Sequence, residues 1–261
     1  MRIARRLPMT KDLLDDDAID DLLLRVHAEL QQLVVETRHG ERVASILHPI
    51  LEAVRSTGIR APIRVLDMGC GLGYVVRWLA AHGSLGDNVE LVGCDINETL
   101  VEEARRLADV EQLDCEFIHG DAFALAPATV YLSTGLLHHF RGRDLDDFFA
   151  AQSRAGVVAA CHFGVAPSAA ASLASRLYFR KRLRHAVAKH DGIVPTVQGP
   201  SDHTVAAAIR QSMAGFAPVL LSTPSGLAAL TPFRPVLAVR PGFADAIRAG
   251  LRTPTQGFVV P

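Results

Sequence analysis

Hydrophobic residues follow two rhythms along this chain, and the change comes near residue 62. Over residues 12–36, apolar side chains recur at Leu23, Val26, Leu30, Leu33 and Val34, a spacing that predicts a helix with one apolar face. Its acidic start, Asp15, Asp16, Asp17, Asp20 and Asp21, suits the positive end of a helix dipole. Arg38-His39-Gly40 predicts the end of that helix, with Gly40 as a C-cap. A second helix is predicted over about 41–56 from Val43, Ile46, Leu47, Ile50, Leu51 and Val54, with Pro49 kinking or breaking it. From Pro62 onward, short apolar runs alternate with helical stretches. Strands are predicted over 63–67, 90–95, 115–119, 129–133 and 157–163, with helices at about 74–82, 98–108 and 143–154 between them. A long helix over 168–188 follows, then one near 202–213, apolar runs at 217–222 and 233–239, and a short helix with an irregular tail over 242–261.

Strand-helix alternation of this kind builds right-handed βαβ units and a parallel sheet covered on both faces. The predicted fold is therefore α/β with a doubly wound sheet. Its organisation is an N-terminal helical cap over residues 1–60, a core over 61–241 and a C-terminal tail over 242–261. The helices of residues 12–56 are expected to cover the carboxyl ends of the strands, where α/β folds bind ligands. The 168–188 helix is expected to form the other wall.

Composition narrows the class. The chain has 261 residues, 49% apolar and 21% charged, as in a folded soluble protein. A net charge of −1 provides no global field for nucleic acid or an anionic membrane, so neither partner is expected. No apolar run approaches the roughly 20 residues of a membrane span. The opening MRIARRLPMTKDLL lacks the apolar stretch of a secretory signal. Cys70, Cys94, Cys115 and Cys161 contain no C-x-x-C pair, so reduced thiols in a cytoplasm are expected. Arg outnumbers Lys 24 to 3, a bias that points to a GC-rich bacterial genome.

The chemistry concentrates in Val65-Leu66-Asp67-Met68-Gly69-Cys70-Gly71-Leu72-Gly73-Tyr74. A buried strand runs into a glycine-rich turn and a helix begins at once. Glycines permit the positive φ and close approach that such a turn needs. Free N–H groups at the helix start favour a polar or anionic ligand group. Asp95 ends the next strand 22 residues after Gly73, where an acid is placed to hold ribose hydroxyls. The alternative for Asp95 alone is a helix N-cap.

The glycines run G-x-G-x-G behind Asp67, in place of the dinucleotide spacing G-x-G-x-x-G. That pattern resembles motif I of the class I S-adenosylmethionine-dependent methyltransferases, most strongly over residues 60–165. The resemblance implies a seven-stranded sheet of order 3-2-1-4-5-7-6 with the last strand antiparallel, and S-adenosylmethionine as cofactor. It places Gly69, Cys70, Gly71 and Gly73 against the methionine and adenosine parts, with Asp67 anchoring the turn. Asp95 takes the ribose hydroxyls and Ile96 flanks the adenine. His119-Gly120-Asp121-Ala122 resembles the loop after the third strand, so Asp121 and Ala122 border the adenine amino group. Ser133-Thr134-Gly135-Leu136-Leu137-His138-His139-Phe140 corresponds to the segment beneath the transferred methyl group, which assigns Thr134 to the cofactor.

His138 and His139 are candidates to accept a substrate proton, since imidazole titrates near neutrality. The other reading is that one packs and the second bonds to backbone. No Asp/Asn-Pro-Pro-Tyr/Phe stands here, which argues against a nucleobase-amine acceptor. Among eleven histidines, His190-Asp191, His162 and His138-His139 show no recognised metal spacing, and no metal is expected. Trp78 and Cys161 are read as packing residues. Residues 176–190, rich in Arg and Lys, read either as a solvated helix face or as a cap over the site. The expected function is methyl transfer to a small molecule, with an RNA methyltransferase or a cofactor-binding protein without turnover as alternatives.

Overall fold

The computed structural model describes residues 9–10, 13–14, 16–58, 61–165, 167, 169–221 and 233–251. Seven strands form one sheet: β1 (Ile63–Met68), β2 (Val89–Asp95), β3 (Glu116–His119), β4 (Val130–Thr134), β5 (Ala159–Val165), β6 (Ala217–Leu220) and β7 (Phe233–Val239). Their order is β3-β2-β1-β4-β5-β7-β6, with β7 alone antiparallel to its neighbours. This is the expected doubly wound α/β sheet. The strand order reverses between β1 and β4, and their carboxyl ends open a crevice there.

β1 shows why the sheet is central. Ile63 and Val65 bury against one helical layer, while Leu66 and Met68 bury against the other, all four at 1% exposure or less. Alternation along a strand sends successive side chains to opposite faces. One layer contains α2 (His39–Arg55), α3 (Tyr74–His82), α4 (Glu98–Glu111) and α9 (Pro241–Leu251). The other contains α5 (Arg143–Gln152) and α8 (Asp202–Ser212), packed through Phe148, Phe149 and Ile209. A third, smaller core gathers Val26 and Leu30 of α1 (Asp16–Glu36) with Leu183 and Ala188.

Several local expectations are corrected. The predicted 168–188 helix is two helices, α6 (Ala169–Arg182) and α7 (Ala186–Gln198). The break is held by Glu29 of α1, whose carboxylate accepts the backbone N–H of Arg184 at 3.0 Å and of His185 at 3.1 Å. Gly40 is not a C-cap. Arg38 takes the left-handed conformation between α1 and α2, with φ 54°. Gly40 lies buried inside α2, where an added Cβ would collide with the Trp78 ring. α2 also runs unbroken through Pro49. The two N-terminal helices divide their work: α2 joins the main core, and the broad cover over the strand ends comes from α1. The tail beyond Leu251 lies outside the described residues, as do parts of the chain before α1.

Candidate active site

The glycine turn between β1 and α3 is fastened to the end of β2. The Cys94 carbonyl accepts the Gly69 N–H at 2.8 Å and the Cys70 N–H at 3.1 Å. Asp95 Oδ2 accepts the Gly71 N–H at 2.8 Å, and Oδ1 accepts the Asn97 N–H at 2.9 Å. Gly71 and Gly73 stand at φ 55° and 71°, a region closed to most side chains.

Asp67 does not anchor this turn. It is buried, and Oδ1 has no hydrogen-bond partner. Burial, together with the nearby Asp95 charge, pushes its carboxyl up to about 7. The turn is anchored from the end of β2, where Asp95 takes the Gly71 amide and the Cys94 carbonyl takes those of Gly69 and Cys70. Gly73 also departs from expectation. A Cβ there would stand 2.3 Å from Phe117 and 3.2 Å from Ala104, so this glycine packs down onto β3 and α4.

A cavity of about 580 Å³ opens above the carboxyl ends of the strands. That volume falls in the range of small-molecule sites, roughly 300–1,000 Å³. On its turn side lie Gly69, Cys70, Gly71, Asp95, Ile96, Asp121, Ala122 and Thr134. Asp121 Oδ1 also accepts the Phe123 N–H at 2.9 Å, which shapes the loop after β3. On its helical side lie Leu30, Leu33 and Val34 of α1, Phe140 after β4, Phe179 of α6, and Asp191 and Thr196 of α7. His27 of α1 closes over the turn, with its ring 3.2 Å from where a Gly71 Cβ would be.

His138 and His139 line the same cavity from a 3₁₀ turn after β4, with ring centroids 3.9 Å apart. Burial and the adjacent His139 depress His138 to about 4, so its ring is uncharged at neutral pH. A hydrogen bond to the backbone at Gly135 opposes that shift, and Nε2 has no partner. Asp191 comes beside both rings. Sequence spacing did not expose this convergence, since Asp191 arrives from a different helix. His27 and Gln31 were likewise missed, although His27, Leu30, Gln31 and Val34 share one helical spacing, while Phe179 belongs to the basic segment whose second reading is a cap over the site. His162 belongs elsewhere. It bridges Ser133 and Gln152 at 2.9 and 3.0 Å inside the core, where burial holds it near 3.

The turn fits an adenosyl cofactor on its own chemistry. A carboxylate offers about four lone-pair sites, and Asp95 uses two on backbone amides. Two remain for a pair of hydroxyls, beside amides that lie on a floor without side chains. Residues 65–155 match the methyltransferase domain family. Over this stretch the chain is similar to methyltransferase domains. The demethylmenaquinone methyltransferase of Thermus thermophilus is 27% identical over 130 residues, covering 48% of this chain. The matched part spans only 58% of that relative. The methyltransferase fold extends beyond the matched stretch. Magnesium protoporphyrin IX methyltransferase from Synechocystis PCC 6803, solved with bound SAH, superposes with a TM-score of 0.52 at 15% identity, covering 92% of this chain and 93% of that one. An O-methyltransferase family protein from Burkholderia thailandensis gives 0.52 at 18% identity, over 86% and 59% of the two chains.

Proposed function

We propose that the protein transfers a methyl group from S-adenosylmethionine to a small molecule. The observation that carries this is the two-sided cavity, with a glycine turn and Asp95 on one side and an apolar, aromatic wall with two histidines on the other. Asp95, Gly69, Gly71, Ile96, Asp121, Ala122 and Thr134 hold the cofactor in this reading, while Cys70 contributes backbone and packing. Gly73 acts indirectly by setting the start of α3. When bound, S-adenosylmethionine supplies a methyl group activated by a sulfonium sulfur. The chain's part is alignment and exclusion of water. α1, α6 and α7 close the helical side, and His138 and His139 stand there to receive the acceptor's proton.

A small acceptor also fits the use made of the basic segment. Arg182 pairs with Glu36 of α1 at 2.8 Å, and the backbone N–H groups of Arg184 and His185 bind Glu29. Part of this segment therefore fastens the cavity wall in place of facing a polyanion. We place the protein in a bacterial cytoplasm; its four cysteines are free thiols, and no described helix is long and apolar enough to cross a membrane. Incubation with methyl-labelled S-adenosylmethionine, plus small-molecule and RNA fractions of a bacterial extract, tests the function. Label is expected in the small-molecule fraction. Label confined to RNA would contradict the reading.

A further inference from the structure

We propose that His138, His139 and Asp191 bind one divalent transition-metal ion on the helical side of the cavity. Each contributes a ligand atom, and the three atoms lie within 4.8 Å of one another. They come from two separate elements, the turn after β4 and α7. Among the described residues no hydrogen bond or ion pair joins Asp191 to either ring, so the three donors are gathered without neutralising one another. Ligand atoms about 2.0–2.2 Å from a shared ion stand about 3–4 Å from each other.

A second observation points the same way. The Nε2 atom of His138 is buried without a partner, although the ring lines the cavity. Backbone at Gly135 stands beside the same ring. A metal-ligating imidazole characteristically gives its other ring N–H to a carbonyl or carboxylate, which fixes its orientation. Two imidazoles and one carboxylate suit Zn²⁺ and comparable first-row ions, and they leave coordination positions open.

This inference rests on the reading that the helical side receives the acceptor. It narrows the acceptor to molecules with oxygen donors that can complete the ion's coordination. With an ion in place, the histidine lone pairs would be committed to it; the ion would make a bound acceptor hydroxyl more acidic, and the proton would leave to water and not to a histidine.

The test uses the metal-free full chain titrated with Co²⁺ and followed by visible ligand-field absorption. Calorimetry with S-adenosylhomocysteine runs in parallel. One Co²⁺ per chain is expected, displaced by Zn²⁺. Asp191→Asn and His139→Ala should each weaken Co²⁺ binding tenfold or more while leaving S-adenosylhomocysteine affinity within a factor of about three. A chain that binds S-adenosylhomocysteine but not Co²⁺ overturns the metal site and leaves the methyltransferase reading standing. Co²⁺ binding unaffected by both substitutions also overturns the site, since the ion would then lie elsewhere. A chain that fails to bind S-adenosylhomocysteine overturns the methyltransferase reading itself.

Discussion

The turn side and the helical side of the cavity are built in opposite ways. Turn-side residues come from the ends of four adjacent sheet strands, and their positions follow from local sequence. Gly69 to Gly73 follow β1 directly, and Asp95 closes β2. A parallel sheet leaves such residues little freedom, because the register of β1 with β2 already sets Met68 beside Cys94. The helical side is assembled from α1, the turn after β4, α6 and α7, elements far apart in the chain. Its shape depends on tertiary contacts such as Glu29 against the start of α7. The floor is thus fixed by the sheet, whereas the walls are set by contacts between elements distant in the chain.

If the two sides are separable, substitutions should split binding from turnover. The largest effect is expected on the helical side. His138→Ala or His139→Ala should lower methyl transfer by roughly 10²–10⁴-fold, measured with labelled cofactor, while calorimetry shows near-normal S-adenosylhomocysteine binding. Near-normal turnover in both variants would make the pair structural. Next in size is Asp95→Ala. Losing charge-assisted bonds worth roughly 1.5–3 kcal/mol each should weaken S-adenosylhomocysteine binding about tenfold or more. Because Asp95 also holds Gly71 and Asn97, its melting temperature should fall too. A lower melting temperature with unchanged affinity would leave Asp95 as a fastener only.

Asp67→Asn probes the floor without touching the cavity wall. Its folded carboxyl lies near 7, well above its ordinary value near 3.8. The raised value makes the folded state hold its proton more tightly than the unfolded chain does. That contribution is complete below the unfolded value and is lost as pH rises through the folded one. The substitution should therefore raise the melting temperature of the ligand-free chain at pH 8, by about 5 °C, and change it little at pH 4. An equal effect at both pH values would contradict an ionised, poorly solvated Asp67. The smallest effect is expected at Glu29. Burial works to raise its carboxyl, yet the backbone N–H groups of His185 and Arg184 outweigh it and hold it below the usual range. Glu29→Gln should cost about 1 kcal/mol, seen as a drop of about 2–4 °C in melting temperature, with cofactor affinity unchanged.

The same contrast governs what was legible in the sequence. The strands and the glycine turn are readable because period-two burial and positive-φ glycines are local demands, while the strand order follows only from the resemblance to the methyltransferases. Gly73 was assigned to the cavity although it packs beneath it, since motif spacing does not tell which way a glycine's absent side chain would point. Asp67 was given the anchoring role that Asp95 performs, a matter of which carboxylate reaches the turn amides across two strands. The break between α6 and α7 was hidden because it is made by a residue of α1. Asp191 stayed uninformative beside His190 until α7 brought it against His138 and His139.

We propose that the glycine turn and Asp95 form an adenosyl pocket of methyltransferase type. Calorimetric titration of the purified chain with S-adenosylhomocysteine and, separately, with NAD tests it most directly. One S-adenosylhomocysteine per chain and no measurable NAD binding is the predicted result. Tighter binding of NAD, or no heat with S-adenosylhomocysteine from a folded chain, would contradict it.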